Sequence, residues 1–437
     1  MALRMRRDGL LKFFTGVWRE HGDLTRIQIG SNVQVLAVHP EHVRYVTITN
    51  RQSYDKVASY DMVRELLLGQ GLVTSTGDLW KRQRRLMAPF FTPRGVEQYY
   101  PIIVEYGAQM GERWQKQAAA GEAVELMGEM MHLTGLIILK AMFGSVSEEE
   151  LGRVEGATDT MIEFVARRGM NPLSPPLWAP TPAGRRYQRA RVDVDTFIGT
   201  LIARRRALPP EQWPDDLLTK LMRARDEETG EGMSDELLRD ESVTIFAAGH
   251  ETTARSLTFL FYALSQHPDV EARLHEEIDR VIGDRVPTVG DLGRMPYTLQ
   301  VIKETLRLYP PAPLYVRDAI AEDEIDGLPI PSGTRVMLLP YATHRHPEFW
   351  PDPERFDPDR WLPEVEDARH PYAFHPFAAG QRICLGNSFS LFESHLLVAI
   401  LARRFALRPR KGHKPKIDMI GTLVSTNGMP MSLVARR

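Results

Sequence analysis

The sequence predicts a mainly α-helical fold with a minor β part, organised as one large domain over residues 1–437. Three observations lead to this. Most segments from about residue 94 to 283 carry helical periodicity. One apolar helix is expected from Ser234, a suitable N-cap, to His267, where Pro268 stops it. At roughly 1.5 Å per residue such a helix is about 50 Å long. Strand signals are confined to short segments, mostly near the two ends.

In chain order, a helix is expected over about 8–21. A hairpin follows, in which RIQIG and VQVLAV alternate at period two around Gly30, Ser31 and Asn32. A helix over about 295–309 ends at Pro310-Pro311, and the chain is proline-rich and irregular between 344 and 377. Another helix is expected over about 387–405, then a tail hairpin turning at Asn427-Gly428. The Pro-rich loops 171–182 and 209–214 are too stiff in composition to be domain linkers. There is no internal repeat, so a single domain is the expectation.

Fifty-five Lys and Arg against 57 Asp and Glu leave a net charge of −2, which argues against a general nucleic-acid binder. A single cysteine excludes an internal disulfide and multi-cysteine zinc or iron–sulfur sites, and suits a reducing compartment, the cytoplasm. No stretch is expected to reach the ~20 apolar residues of a membrane span. The opening residues lack the apolar core of a signal peptide.

The one cysteine stands in FAAGQRICLG, residues 377–386. A lone cysteine is ordinarily a buried small hydrophobe. Cys384, however, immediately precedes a helix, whose first-turn amides favour a thiolate. Gly380 and Gly386 allow sharp turns or close approach of a flat partner, Phe377 is placed to shield the sulfur, and Arg382 to bind an anion. Within the long helix, AAGHETT (247–253) sets Gly249, His250, Glu251, Thr252 and Thr253 among apolar neighbours. Glu251 beside Thr252 is an acid–alcohol pair able to hold water and move protons. A zinc-protease reading of His250-Glu251 needs a histidine at 254, where Ala254 stands.

The loop Phe377, Gly380, Arg382, Cys384, Gly386 resembles the haem-binding loop of the cytochrome P-450 superfamily, Phe-x-x-Gly-x-Arg-x-Cys-x-Gly, without departure. Ala248 to Thr253 is similar to that family's oxygen-activating motif. The resemblance implies haem b (iron protoporphyrin IX) with Cys384 as axial thiolate. It also implies a groove for dioxygen at Ala248 and Gly249, and proton handling by Thr252 and Glu251. Glu304 and Arg307, three apart in KETLRLYPP, match the family's Glu-x-x-Arg, and Arg355 of PERF is the expected third partner; all three are assigned to fold support. Trp80 and Arg84, four apart in WKRQR, and Arg317 in LYVRDA are expected to join Arg382 around the haem propionates.

The implied fold is the cytochrome P-450 fold, a single large triangular domain with a long central helix and small antiparallel sheets. The implied activity is monooxygenation: O2 and two external electrons hydroxylate or epoxidise an apolar molecule such as a fatty acid, terpene, steroid or macrolide. No dinucleotide fingerprint or Walker loop is present, so electrons are expected from a ferredoxin or flavodoxin-type donor with its reductase. Arg82, Arg85, Arg403 and Arg404 are candidates for its docking patch or ordinary solvated charges. Candidate substrate-lining residues, by resemblance, include Val57, Ala247, Ala248, Leu314 and Val424 within 55–76, 160–200, 242–252, 312–316 and 424–430. Arg167, Arg168 and Arg185 are candidate carboxylate anchors. A peroxide-using haem-thiolate enzyme and a non-catalytic haem sensor remain open alternatives.

Overall fold

The computed structural model describes residues 5, 7–29, 32–144, 147–170 and 174–436. Its helices of seven residues or more are α1 Leu10–His21, α2 Gly77–Met87, α3 Tyr100–Ala119, α4 Leu126–Phe143, α5 Glu148–Met170, α6 Pro182–Ala207, α7 Leu217–Arg223, α8 Asp235–Gln266, α9 Pro268–Val281, α10 Pro296–Leu308 and α11 Asn387–Arg404. The strands are β1 Leu24–Ile29, β2 Asn32–Ala37, β3 Tyr54–Asp55, β4 Ala123–Glu125, β5 Tyr315–Ala319, β6 Asp323–Ile325, β7 Leu328–Ile330, β8 Arg335–Leu338, β9 Phe405–Pro409, β10 Ile417–Ile420, β11 Thr422–Ser425 and β12 Pro430–Ala435. The chain groups into two compact units, one of residues 1–55, 103–133 and 252–437, the other of 56–102 and 134–251.

The first unit holds the sheets. Five strands run in the order β1-β2-β8-β5-β3, with β2 and β8 parallel and the other neighbours antiparallel. The β1–β2 hairpin forms in register Leu24↔Ala37 to Ile29↔Asn32, while its turn residues Gly30 and Ser31 lie outside the described residues. The alternation expected in VQVLAV is lost at its end: Val35, Leu36, Ala37 and Val38 are all buried. A strand hydrogen-bonded on both edges and covered on both faces hides consecutive side chains. The core on this sheet joins Val35, Val46, Tyr315, Val336 and Leu338 to Ala379, so it also seats the loop that carries the cysteine.

Two turns in the C-terminal half show what decides a hairpin. Asp326 and Gly327 have φ of 47° and 78°, the left-handed pair that closes the β6–β7 hairpin. Asn427-Gly428 is not a hairpin turn. β11 pairs with β10 across Gly421, whereas both edges of β12 are taken by β9 and β4, so 427–428 passes the chain between sheets.

The long helix α8 forms as expected over 32 residues. The Ser234 hydroxyl accepts from the Leu237 amide at 3.2 Å, and Pro268 opens α9 directly after it. Its residues up to Glu251 belong to the second unit and those from Thr252 to the first. The second unit's described residues are otherwise mostly helical. There α5 and α6 pack together, with Phe164 stacked on Tyr187 at 4.5 Å. Contrary to the sequence expectation, α4 is long and apolar enough to cross a membrane, with a mean hydropathy of 1.3 over 18 residues. It is 72% buried inside the protein, as a core helix is.

Candidate haem site

The cysteine loop is built by steric necessity. Gly380 has φ +71°, and a Cβ there would stand 2.1 Å from the Thr47 carbonyl oxygen, so only glycine lets the loop press onto the segment after β2. Ala378 also has positive φ, 59°. The Cys384 amide donates to the Phe377 carbonyl at 2.9 Å, closing the loop on itself. Three residues on, α11 begins with Gly386 as N-cap, and a Cβ at Gly386 would sit 4.0 Å from the sulfur. The sulfur is thus held at a helix N-terminus, where a thiolate is favoured. Phe377 is half-buried and Cys384 is exposed, so the thiol is not packed as a small hydrophobe.

Behind the loop is a network that sequence reasoning missed. His375 is buried, its ring hydrogen-bonded to the Tyr315 hydroxyl at 3.2 Å, and its amide donates to His344 Nε2 at 2.9 Å. His344 therefore carries its proton on Nδ1 and donates to the Arg307 carbonyl at 3.2 Å. Burial pushes His375 down to about 3 and His344 well below its ordinary value, so both are neutral. Nothing in the local sequence distinguishes these histidines from surface ones.

The Glu304–Arg307 pair is fully buried on both sides, bidentate at 2.8 Å. Arg307 also donates to the carbonyls of His344, Pro353 and Arg355. Glu304 further accepts from the Asp357 amide and the Trp361 indole. The third cation is not Arg355, which is a correction. Its side chain is 69% exposed and nearest Asp357 at 3.8 Å, and only its carbonyl joins the network. Arg360, buried and 3.5 Å from Glu304, takes the place instead. The 3-10 turn Pro358–Trp361 packs on α10 and turns residue 360 inward.

Arg317 is also not a surface charge: it is 4% exposed, over the Tyr315 ring, with Nη1 on the Val316 carbonyl and Nη2 lacking a partner. Arg382 is buried and paired with Asp55 at 2.5 Å. Asp55 lies in β3 opposite Asp318 of β5, the residue after Arg317. A buried guanidinium with a spare donor is suited to a haem propionate. With an exposed thiol at a helix N-terminus, and a glycine cradle no other residue fits, these residues suit the haem that the resemblance implies.

On α8, residues 241–246 are buried, and Ala247 to Thr252 are not, apart from His250; Ala248 is exposed. A side chain at Gly249 would meet Ile138 of α4 at 3.2 Å, so the glycine serves the packing of those helices. His250 is buried against Phe246, 3.5 Å from Glu155, and its carbonyl accepts from Thr134. Thr253 Oγ1 lies 3.2 Å from Ser390 Oγ, which ties the end of the motif to α11, the helix that Cys384 introduces. Beside Thr253, Glu393 is buried and pushed up to about 8 by its burial. A lone acid in the apolar run SFSLFESHLL was the signal for it. Thus Thr252 shares the first unit with Cys384, Arg382, Arg317, Phe377, Gly380 and Gly386, whereas Trp80, Arg84, Ala248, Gly249 and Glu251 belong to the second. Trp80 is buried and Arg84 half-buried on α2.

The other arginine proposals fare less well. Arg82 pairs with Glu231, Arg85 with Asp226 and Glu228, and Arg404 with Glu112, while Arg403 donates to backbone carbonyls. These charges are engaged locally and do not form an unpaired basic patch. Arg167 is exposed and paired with Glu163, Arg168 donates to the Pro175 carbonyl, and Arg185 is exposed.

The family described as Cytochrome P450 matches residues 1–433. The chain is 36% identical to cyclooctat-9-en-7-ol 5-monooxygenase of Streptomyces melanosporofaciens, over 90% of this chain and 84% of that protein. It is 33% identical to pentalenene oxygenase of Streptomyces avermitilis, over 95% and 91%. The crystal structure of the cytochrome P450DA heme domain superposes with a TM-score of 0.90 at 29% identity, over 98% of this chain and 93% of that one. The chain belongs to the cytochrome P450 family and is a haem-dependent monooxygenase that uses O2, an apolar substrate and electrons from a redox partner.

Proposed function

We propose that this enzyme hydroxylates a terpenoid hydrocarbon or a similarly apolar scaffold, and that Cys384 would hold its haem through the thiolate. The observation that carries the ligand assignment is the exposed Cys384 thiol, held at the start of α11 by a loop only Gly380 permits. The substrate class rests on the names of two similar proteins, a cyclooctat-9-en-7-ol 5-monooxygenase and a pentalenene oxygenase.

Haem, when bound through a thiolate, supplies the activation of dioxygen. The protein's own residues do the rest. Arg382 and Arg317 would hold the haem propionates, the role the family resemblance also implies for Trp80 and Arg84. The Cys384 loop keeps its sulfur at the helix N-terminus, where negative charge is favoured. Ala248 presents a small apolar surface for substrate and dioxygen. Thr252 holds a proton donor in place through its hydroxyl, and Glu251 resupplies it from solvent. Glu304, Arg307 and Arg360 keep the segment behind the loop rigid. Residues 1–437 serve a single function, electrons come from a ferredoxin or flavodoxin-type protein with its reductase, and the enzyme acts in the cytoplasm.

The test has two parts. Reduced protein treated with carbon monoxide shows the red-displaced Soret band of a thiolate ligand, and Cys384→Ser loses it while keeping its helical circular dichroism. Turnover of a panel of cyclic sesquiterpenes and diterpenes, against fatty acids and steroids, yields hydroxylated terpenoids. An unchanged Soret band in Cys384→Ser refutes the ligand assignment, and turnover confined to another substrate class refutes the terpenoid reading.

A further inference from the structure

Two buried oxygens in the second unit lack a hydrogen-bond donor, and they belong to neighbouring side chains. Glu241 on α8 and Gln83 on α2 are both 0% exposed and within hydrogen-bonding reach of each other. The Gln83 amide nitrogen donates to the Gln70 carbonyl at 2.6 Å, and its Oε1 has no donor. Glu241 Oε2 accepts from the Leu72 amide at 3.1 Å, and its Oε1 has none. An ionised carboxylate in this dry site is strongly disfavoured by burial, which outweighs the Leu72 amide and the Gln83 side chain that both favour the charged form. A proton on Oε1 removes the buried charge, and a neutral acid has a donor to offer the Gln83 side chain while Oε2 still accepts from Leu72.

The loop resting on this pair has no slack. Asp240 accepts from the Gln70 amide at 2.7 Å. Gly69 has φ +54°, and its Cβ would stand 2.2 Å from the Asp240 carboxylate. A Cβ at Gly71 would stand 2.0 Å from the Thr244 hydroxyl. The loop therefore touches α8 over more than a turn, and it leads within a few residues into α2, which carries Trp80 and Arg84.

We infer that Glu241 is a positioning residue: as a neutral acid it clamps loop 69–74 and the start of α2 onto α8, and its ionisation opens the clamp. The inference rests on the function proposed above only for what α2 holds. Burial pushes Glu241 up to about 8, and the adjacent Asp240 charge pushes the same way. Asp240 is paired with Arg239, which also reaches Asp195 on α6. From the loop and α2, the facing groups are the uncharged Leu72 amide and Gln83.

The experiment is amide hydrogen exchange at Leu72 and Gln70 in the haem-loaded enzyme from pH 6.5 to 9, corrected for intrinsic rates. Leu72 protection in the wild type is expected to fall about tenfold between pH 7 and 9, as one unit beyond the pKa dictates. Glu241→Gln keeps both hydrogen bonds without a titrating proton, so its protection stays flat. Glu241→Leu is unprotected at every pH. The wild-type infrared band of a protonated carboxyl disappears in Glu241→Gln. Equal pH profiles in wild type and Glu241→Gln, or a Glu241→Gln already unprotected at pH 7, overturn the inference. Should that variant not fold, flat wild-type protection up to pH 9 overturns it alone. A missing thiolate Soret band would refute the haem assignment and leave the Leu72 measurement able to decide this one.

Discussion

Replacing Arg360 with methionine tests the corrected charge network most sharply. Glu304 is fully buried and takes five contacts: two from Arg307, one each from the Asp357 amide and the Trp361 indole, and Arg360 at 3.5 Å. Arg360→Met removes one charged partner from a dry carboxylate that retains the others, a loss of about 1.5–3 kcal/mol. Arg307→Met strips the bidentate partner and leaves three carbonyls without their donor, a loss of about 3–5 kcal/mol. Arg355→Met removes an exposed side chain 3.8 Å from Asp357, and the expected loss is within about 0.5 kcal/mol. Equilibrium urea unfolding of the haem-loaded proteins, followed by circular dichroism, gives the three values. An Arg355→Met as costly as Arg360→Met would sink the reasoning, because it would put the third cation where the motif's spelling suggested.

Gly380→Ala, forced into a left-handed backbone with its Cβ against the Thr47 carbonyl, is expected to cost about 3 kcal/mol or more and to lower haem content on purification; full haem loading at wild-type stability would contradict it. Thr252→Ala is expected to consume reductant at a similar rate while yielding about tenfold less product and releasing peroxide, and an undiminished product yield per reductant would remove Thr252 from the proton path. Glu393 makes stability fall with pH: its carboxyl is held up to about 8 when folded against an ordinary 4.5, so above 4.5 the unfolded chain ionises while the folded one does not. The penalty grows by about 1.4 kcal/mol per pH unit until about pH 8 and is absent below pH 4.5. Glu393→Gln should therefore stabilise the protein more at pH 7.5 than at pH 5 in urea unfolding, and an equal effect at both would show that the folded carboxyl is ionised.

Much of the architecture was readable because local rules decide it. Ser234 caps α8 and Pro268 ends it, as the side-chain chemistry of helix termini requires. The Asn427-Gly428 expectation failed for the opposite reason: a turn signal fixes the bend but not the strand's partner, and β12 pairs with strands far away in sequence. α4 passed for nothing unusual in the sequence, yet it is the apolar core helix.

The sequence alone determined the family, and with it the role proposed for residue 384, since a thiol, two glycines and an arginine within ten residues form one local structure. Tertiary structure decided which charges are buried. It brought Arg360 rather than Arg355 to Glu304, buried Arg317 on β5, and enclosed Glu241 and Glu393 without counter-charges. Burial is set by segments distant in the chain, so no local spacing can specify it, and the protonation states that follow from it belong to the fold.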